Sequence, residues 1–159
     1  MRELRQAKKG QEGQEADQEG GKMMEKDLVI EISKRKMANL YYRKRICRCL
    51  ASKVISLARL ALGIPGTNQR YVEYQIYLDE LSKVSSKLKE KETLVFDEMI
   101  TAGVKAIEID DIMRKIESYP VDERAIYQNY PIAIDLKCPS SQDRIEENKR
   151  RIWSIGYDL

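Results

Sequence analysis

Between residues 32 and 72 the chain carries ten Lys and Arg side chains and not one Asp or Glu. They are Lys34, Arg35, Lys36, Arg43, Lys44, Arg45, Arg48, Lys53, Arg59 and Arg70. Such groups make charge-assisted hydrogen bonds to phosphate or carboxylate oxygens. Tyr41 and Tyr42 stand between the KRK and RKR triplets, where their rings could stack on bases or sugars or anchor a partner helix. The chemistry on offer is therefore polyanion binding. Candidate contacts are Lys34, Arg35, Lys36, Tyr41, Tyr42, Arg43, Lys44, Arg45, Arg48, Lys53 and Arg59.

Little else in the sequence can do chemistry. There is no His, which removes Ser–His–Asp and Cys–His catalysis and the helical His metal sites. Cys47 and Cys49 are two apart and diverge on a helix, and Cys138 is alone. Without a second CxxC, no zinc site is expected, and an odd number of thiols does not suit a disulfide framework. Ser33-Lys34-Arg35-Lys36 matches SxxK formally but lacks the companion SDN and KTG motifs. Asp110-Asp111 and Glu146-Glu147 are adjacent pairs that diverge on a helix. Glu108 and Asp111 could share a face for Mg²⁺, but early-turn acids complement the helix dipole without any metal. Gly63-Ile64-Pro65-Gly66 lacks the GK[ST] of a phosphate loop. Lys149-Arg150-Arg151 reads as a cationic helix C-terminus. No catalytic residue, metal, cofactor or small-molecule substrate is expected, so the chain does not read as an enzyme.

The charge is segregated along the chain. Net charge is only +3, yet residues 1–31 carry −2, residues 32–72 carry +10 and residues 73–159 carry −5. A basic helix can meet nucleic-acid phosphates, the acidic region 73–159 of its own or another subunit, or an anionic membrane surface. The charge surrounds a long helix on several sides. That favours backbone contacts to duplex DNA over base reading, with strong salt dependence and weak sequence preference. No apolar run is long enough to span a membrane, and the N-terminus has no signal-peptide core.

The elements that must carry these groups are helical. Residues 1–22 are Gly, Gln, Glu and Lys with almost no apolar content, and read as a flexible tail. From about Met24 an amphipathic pattern runs without Pro to Gly63, with Leu40, Cys47, Val54 and Ala61 at sevenfold spacing and Arg43, Leu50 and Leu57 between them. The stretch 63–68 is a turn, with Thr67 as N-cap. A second helix runs to about Ala102 on Tyr74, Leu81, Leu88, Val95 and Ala102, with Tyr77, Val84 and an out-of-pattern Glu98 beside them. A third helix ends near Ser118, Pro120 opens a short helical turn to about Gln128, and 130–134 is extended. Ser141 caps a last helix to about Trp153. The expected fold is all-α: a long antiparallel helical hairpin plus shorter C-terminal helices and an extended polar N-terminal tail. Its parts are a tail (1–22), a basic amphipathic helical arm (23–63) and a helical body (64–159).

A polar tail, a basic helix and a helical hairpin in this order resemble the capsid proteins of filamentous archaeal viruses of the tristromavirus and lipothrixvirus group. The resemblance covers the layout of residues 1–102 and rests on architecture, with Lys34 to Arg59 matching the DNA-facing helix. It implies a virion protein that wraps double-stranded DNA in A-form and packs its helical body outward against other copies or a related coat subunit. The competing expectation is a cytoplasmic helical adaptor or regulator whose basic arm docks on an acidic protein partner or on DNA.

Overall fold

A computed structural model describes residues 14–63, 68–132, 136 and 138–156. All regular structure among them is helical: α1 (Gln14–Leu62), α2 (Asn68–Thr101), α3 (Ala106–Ser118), α4 (Glu123–Asn129) and α5 (Gln142–Ser154). The expected all-α hairpin is present. Helix α1 has 49 residues and α2 has 34, about 74 Å and 51 Å at 1.5 Å per residue. The first 13 residues of the expected tail, Thr67 and Ala133-Ile134 lie outside the described residues.

The seam of the hairpin is the one the sevenfold pattern marks. Leu40, Cys47, Leu50, Val54 and Ala61 of α1 and Tyr74, Tyr77, Leu81, Val84, Leu88 and Val95 of α2 are all buried. Burying these side chains supplies the apolar free energy that two isolated helices lack. Glu98 breaks the α2 row because Lys36 of α1 faces it, Nζ to Oε1 3.4 Å. Burial also pushes the Cys47 thiol up to about 12. Cys47 and Cys49 are therefore expected to resist alkylation at pH 8 in the folded protein, while the exposed Cys138 reacts. Mass spectrometry after brief iodoacetamide treatment checks this.

Several boundaries differ from the sequence reading. Helix α1 begins at Gln14, not near Met24. Gln, Glu, Ala and Lys are good helix formers, and no Pro stops the helix from extending into the polar segment. Helix α4 starts at Glu123, not at Pro120. The Asp122 carboxylate accepts from the backbone N–H of Arg124 and Ala125, at 3.1 and 3.4 Å, and so sets the start. Helix α2 stops at Thr101, one residue before the expected end. Gly103 takes φ 92°, and the Val104 N–H returns to the Met99 carbonyl at 2.9 Å. A Cβ there would meet nothing within 4 Å. The positive φ, not lack of space, is what favours glycine.

Helix α3 packs on both α1 and α2, α4 packs on α1, and α5 packs on α2. Ile109, Ile112, Ile116 and Ile126 are buried in the same core as the seam. Tyr127 of α4 donates its hydroxyl to the Cys49 carbonyl, 3.3 Å. Helix α5 starts on the Ser141 cap, whose hydroxyl accepts from the Arg144 N–H at 3.2 Å. It then lies along α2 through a buried polar latch. Arg144 grips Glu73 with two guanidinium nitrogens, Nε at 3.0 Å and Nη2 at 2.5 Å. Ser140 and Tyr77 donate to the same carboxylate, at 2.7 and 2.5 Å, and Asn148 donates to the Tyr77 oxygen at 2.8 Å. The Glu73 side chain has no exposed surface. Burial alone would push its carboxyl up. The bonds from Arg144, Tyr77 and Ser140 outweigh burial and hold it below the usual range.

Candidate nucleic-acid interface

The basic helix is one half of the hairpin, so its cations are sorted by what α2 and the short helices do around them. Lys34, Arg35 and Lys36 are exposed. Lys34 lies 3.5 Å from Glu31 one turn back, and Lys36 reaches Glu98. Exposed pairs of this kind are worth about 0–1 kcal/mol, so a phosphate can replace them. Arg35 has no ion pair among the described residues. Tyr42 beside this group is 36 % exposed, whereas Tyr41 packs against the core. Of the two aromatic candidates only Tyr42 faces solvent enough to meet a ligand.

The central triplet is drawn into the body. Arg43 donates from Nε to Asn39 at 2.8 Å and from Nη1 to the Ile155 carbonyl at 2.6 Å, tying α1 to the end of α5. This accounts for an arginine in an otherwise apolar row. Lys44 Nζ sits 2.9 Å from one Glu92 oxygen and 3.1 Å from the other. Their side chains are only 20 % and 11 % exposed. Arg45 is half-buried, with its Nε enclosed and without a hydrogen-bond partner among the described residues. Lys44→Ala would strand the Glu92 carboxylate and is expected to cost about 3 kcal/mol, whereas Lys44→Met with Glu92→Met should cost far less. Urea titration of the two variants checks this.

Beyond α4 the helix re-emerges. Arg48, Lys53 and Arg59 are exposed and have no ion pair among the described residues. Lys53 holds its ammonium 5.2 Å from the centre of the Tyr127 ring, leaving its charge open to solvent. Arg48 and Arg59 are eleven residues apart, about three turns, and share one line along the helix. The structure thus divides the eleven candidates into an N-terminal cluster of Lys34, Arg35, Lys36 and Tyr42, a C-terminal group of Arg48 and Arg59 on one line with Lys53 roughly 140° around the helix from Arg48, and four partly buried residues, Tyr41, Arg43, Lys44 and Arg45. The nearest cations of the two clusters, Lys36 and Arg48, are about 18 Å apart along α1.

The other candidate groups have structural roles. Glu108 accepts from the Lys105 N–H at 3.1 Å and from Lys26 Nζ at 3.2 Å, which together hold its carboxyl low. Asp111 pairs with Arg114 at 3.4 Å. Arg150 and Arg151 pair with Glu147, and Arg151 also donates to the Pro131 carbonyl at 2.7 Å. Among the described residues no group of His, Cys, Asp and Glu side chains converges in a metal-holding arrangement, and no helix is long and apolar enough to cross a membrane. No protein-family model, curated protein or solved structure matches the chain.

Proposed function

We propose that this chain is a structural nucleic-acid-coating protein, a capsid or nucleoprotein subunit of the virion, that contacts double-stranded DNA through phosphates along α1 and self-assembles through its helical faces. The observation that supports this best is the pair of solvent-facing cation clusters on an acid-free span. Six exposed cations stand on one rigid helix, and the α2, α3 and α5 acids leave four of them unpaired among the described residues. Rigid, pre-placed cations bind a polyanion by releasing its counterions, which needs no base contact. The facing edges of the two clusters, Lys36 and Arg48, are about 18 Å apart, a span over which a duplex offers many phosphates. With only Tyr42 exposed between them, there is no run of aromatic rings on which single strands would stack.

Electrophoretic mobility with random duplex DNA across a salt series tests the reading. Retention at low salt that falls by about five decades in affinity per decade of salt is expected for six phosphate contacts. Absence of retention at 50 mM salt would instead support an adaptor docking on an acidic protein. Lys44–Glu92 and Lys36–Glu98 favour that second reading, since they show α1 cations accepting carboxylate partners.

A further inference from the structure

The hairpin is apolar and exposed at both ends, with opposite charge around each. At the closed end Leu60, Leu62 and Val72 flank the turn, and at the open end Leu28, Ile100 and Ile107 stand clear of the core. These are six of the eight large apolar side chains that are more than half exposed among the described residues. Single exposed aliphatics need no explanation, but their gathering at two ends does.

The open end also has a receiving shape. Glu25, Lys26, Leu28 and Val29 of α1 and Thr101 and Ala102 at the end of α2 line a cleft of about 360 Å³. Around it the stretches 25–32 and 94–112 carry eight acids and two bases, and Lys34, Lys36 and Arg114 pair with three of those acids, which leaves net −3. Around the closed end the stretches 53–63 and 70–72 carry three bases and no acid, net +3. One end projects aliphatic side chains among cations, and the other offers an aliphatic cleft among carboxylates. The two surfaces lie about 48 Å apart along α1, the cleft beside the stretch of α1 that continues back to Gln14, so a copy cannot satisfy itself. A contact between two different patches of identical subunits does not close on a dimer and propagates into an open chain.

We infer that copies of this chain join head to tail, the closed end of one hairpin seated in the open-end cleft of the next. This deepens the coat reading by naming its subunit contact, and it can be tested without nucleic acid. The polar variants Leu60→Gln with Leu62→Gln and Leu28→Gln with Ile32→Gln change only exposed side chains and leave net charge alone. Circular dichroism should confirm that both fold. In sedimentation velocity without DNA, the wild-type coefficient should rise with concentration. Each variant should stay monomeric, its association weakened roughly a hundredfold or more by two lost aliphatic contacts. A one-to-one mixture should stop at dimer, because each variant retains one working end. A wild type that stays monomeric, a variant that still polymerises, or a mixture that stays monomeric would each overturn the inference. Binding of a duplex of about one turn, too short for two copies, should be the same in both variants and the wild type. Its absence with assembly intact would overturn the coat reading and leave the contact standing.

Discussion

Replacing Arg48, Lys53 and Arg59 together by Gln is expected to abolish retention of random duplex DNA at moderate salt while leaving folding nearly unchanged. All three side chains are exposed, and none is ion-paired among the described residues. Their loss strands no buried charge, and the Lys53 contact with Tyr127 is worth about 0.5–1 kcal/mol at an exposed site. For binding the consequence is large. Six phosphate contacts give a slope of about −5.4 in log affinity against log salt, and three leave about −2.7. The measurement is a mobility or anisotropy titration at several salt concentrations, with a thermal melt as control. An unchanged slope would remove phosphate contact by this cluster. The contrast with Lys44 is instructive. It lies between the clusters but is committed to Glu92, so Lys44→Met with Glu92→Met should leave the slope alone.

The second large effect concerns the latch. Arg144→Ala is expected to destabilise the protein by about 3–5 kcal/mol, because Glu73 would be left buried with only Tyr77 and Ser140 to satisfy it. For a chain of this length that lowers the thermal midpoint by roughly 10 °C. The only Trp reports the change locally. Trp153 of α5 donates from Nε1 to Glu80 of α2 at 3.3 Å, so loosening α5 should shift its emission before α1 and α2 separate. The pH dependence follows from the sign of the Glu73 shift. Its folded value lies below its unfolded one, so the stabilisation is complete above the ordinary Glu value of about 4.3 and is lost only as pH falls through the lower folded value. Trp153 emission should therefore hold steady from neutrality to about pH 4.3 in the wild type. In Glu73→Gln the part of the acid step that comes from Glu73 should vanish, leaving that of Glu80, which Trp153 itself contacts. A wild-type transition near pH 6 would contradict the assignment.

Much of the hairpin was legible because a sevenfold apolar row is a local signal. Leu40, Cys47 and Val54, and Tyr74, Leu81 and Leu88, read as a seam and are one. The Ser141 cap was legible for the same reason. The sorting of the basic residues was not. Nothing local distinguishes Arg43 and Lys44 from Arg48 and Arg59, since all lie in one cationic helix. Their fates depend on Glu92, 48 residues from Lys44, and on the Ile155 carbonyl, 112 residues from Arg43. The one hint was Arg43 in an apolar row. The latch was equally hidden: Glu73 and Arg144 are separated by 71 residues, and in sequence each looks like an ordinary surface charge. Burial of Ile46 and Cys49 away from the seam was missed because α4 reaches α1 from the far side of the chain.

The withdrawal of Arg43, Lys44 and Arg45 into the body turns a basic rod into a calliper. An unbroken run of cations accepts negative charge at any spacing along its length. Two jaws set about 18 Å apart on a single helix, stiffened by the α2 seam, do not. If they bind a polyanion as proposed, they would grip a surface whose charged ridges recur at that interval and slip on one whose ridges fall elsewhere. On the coat reading proposed above, such a device would ignore base identity yet tell one polyanion from another by pitch.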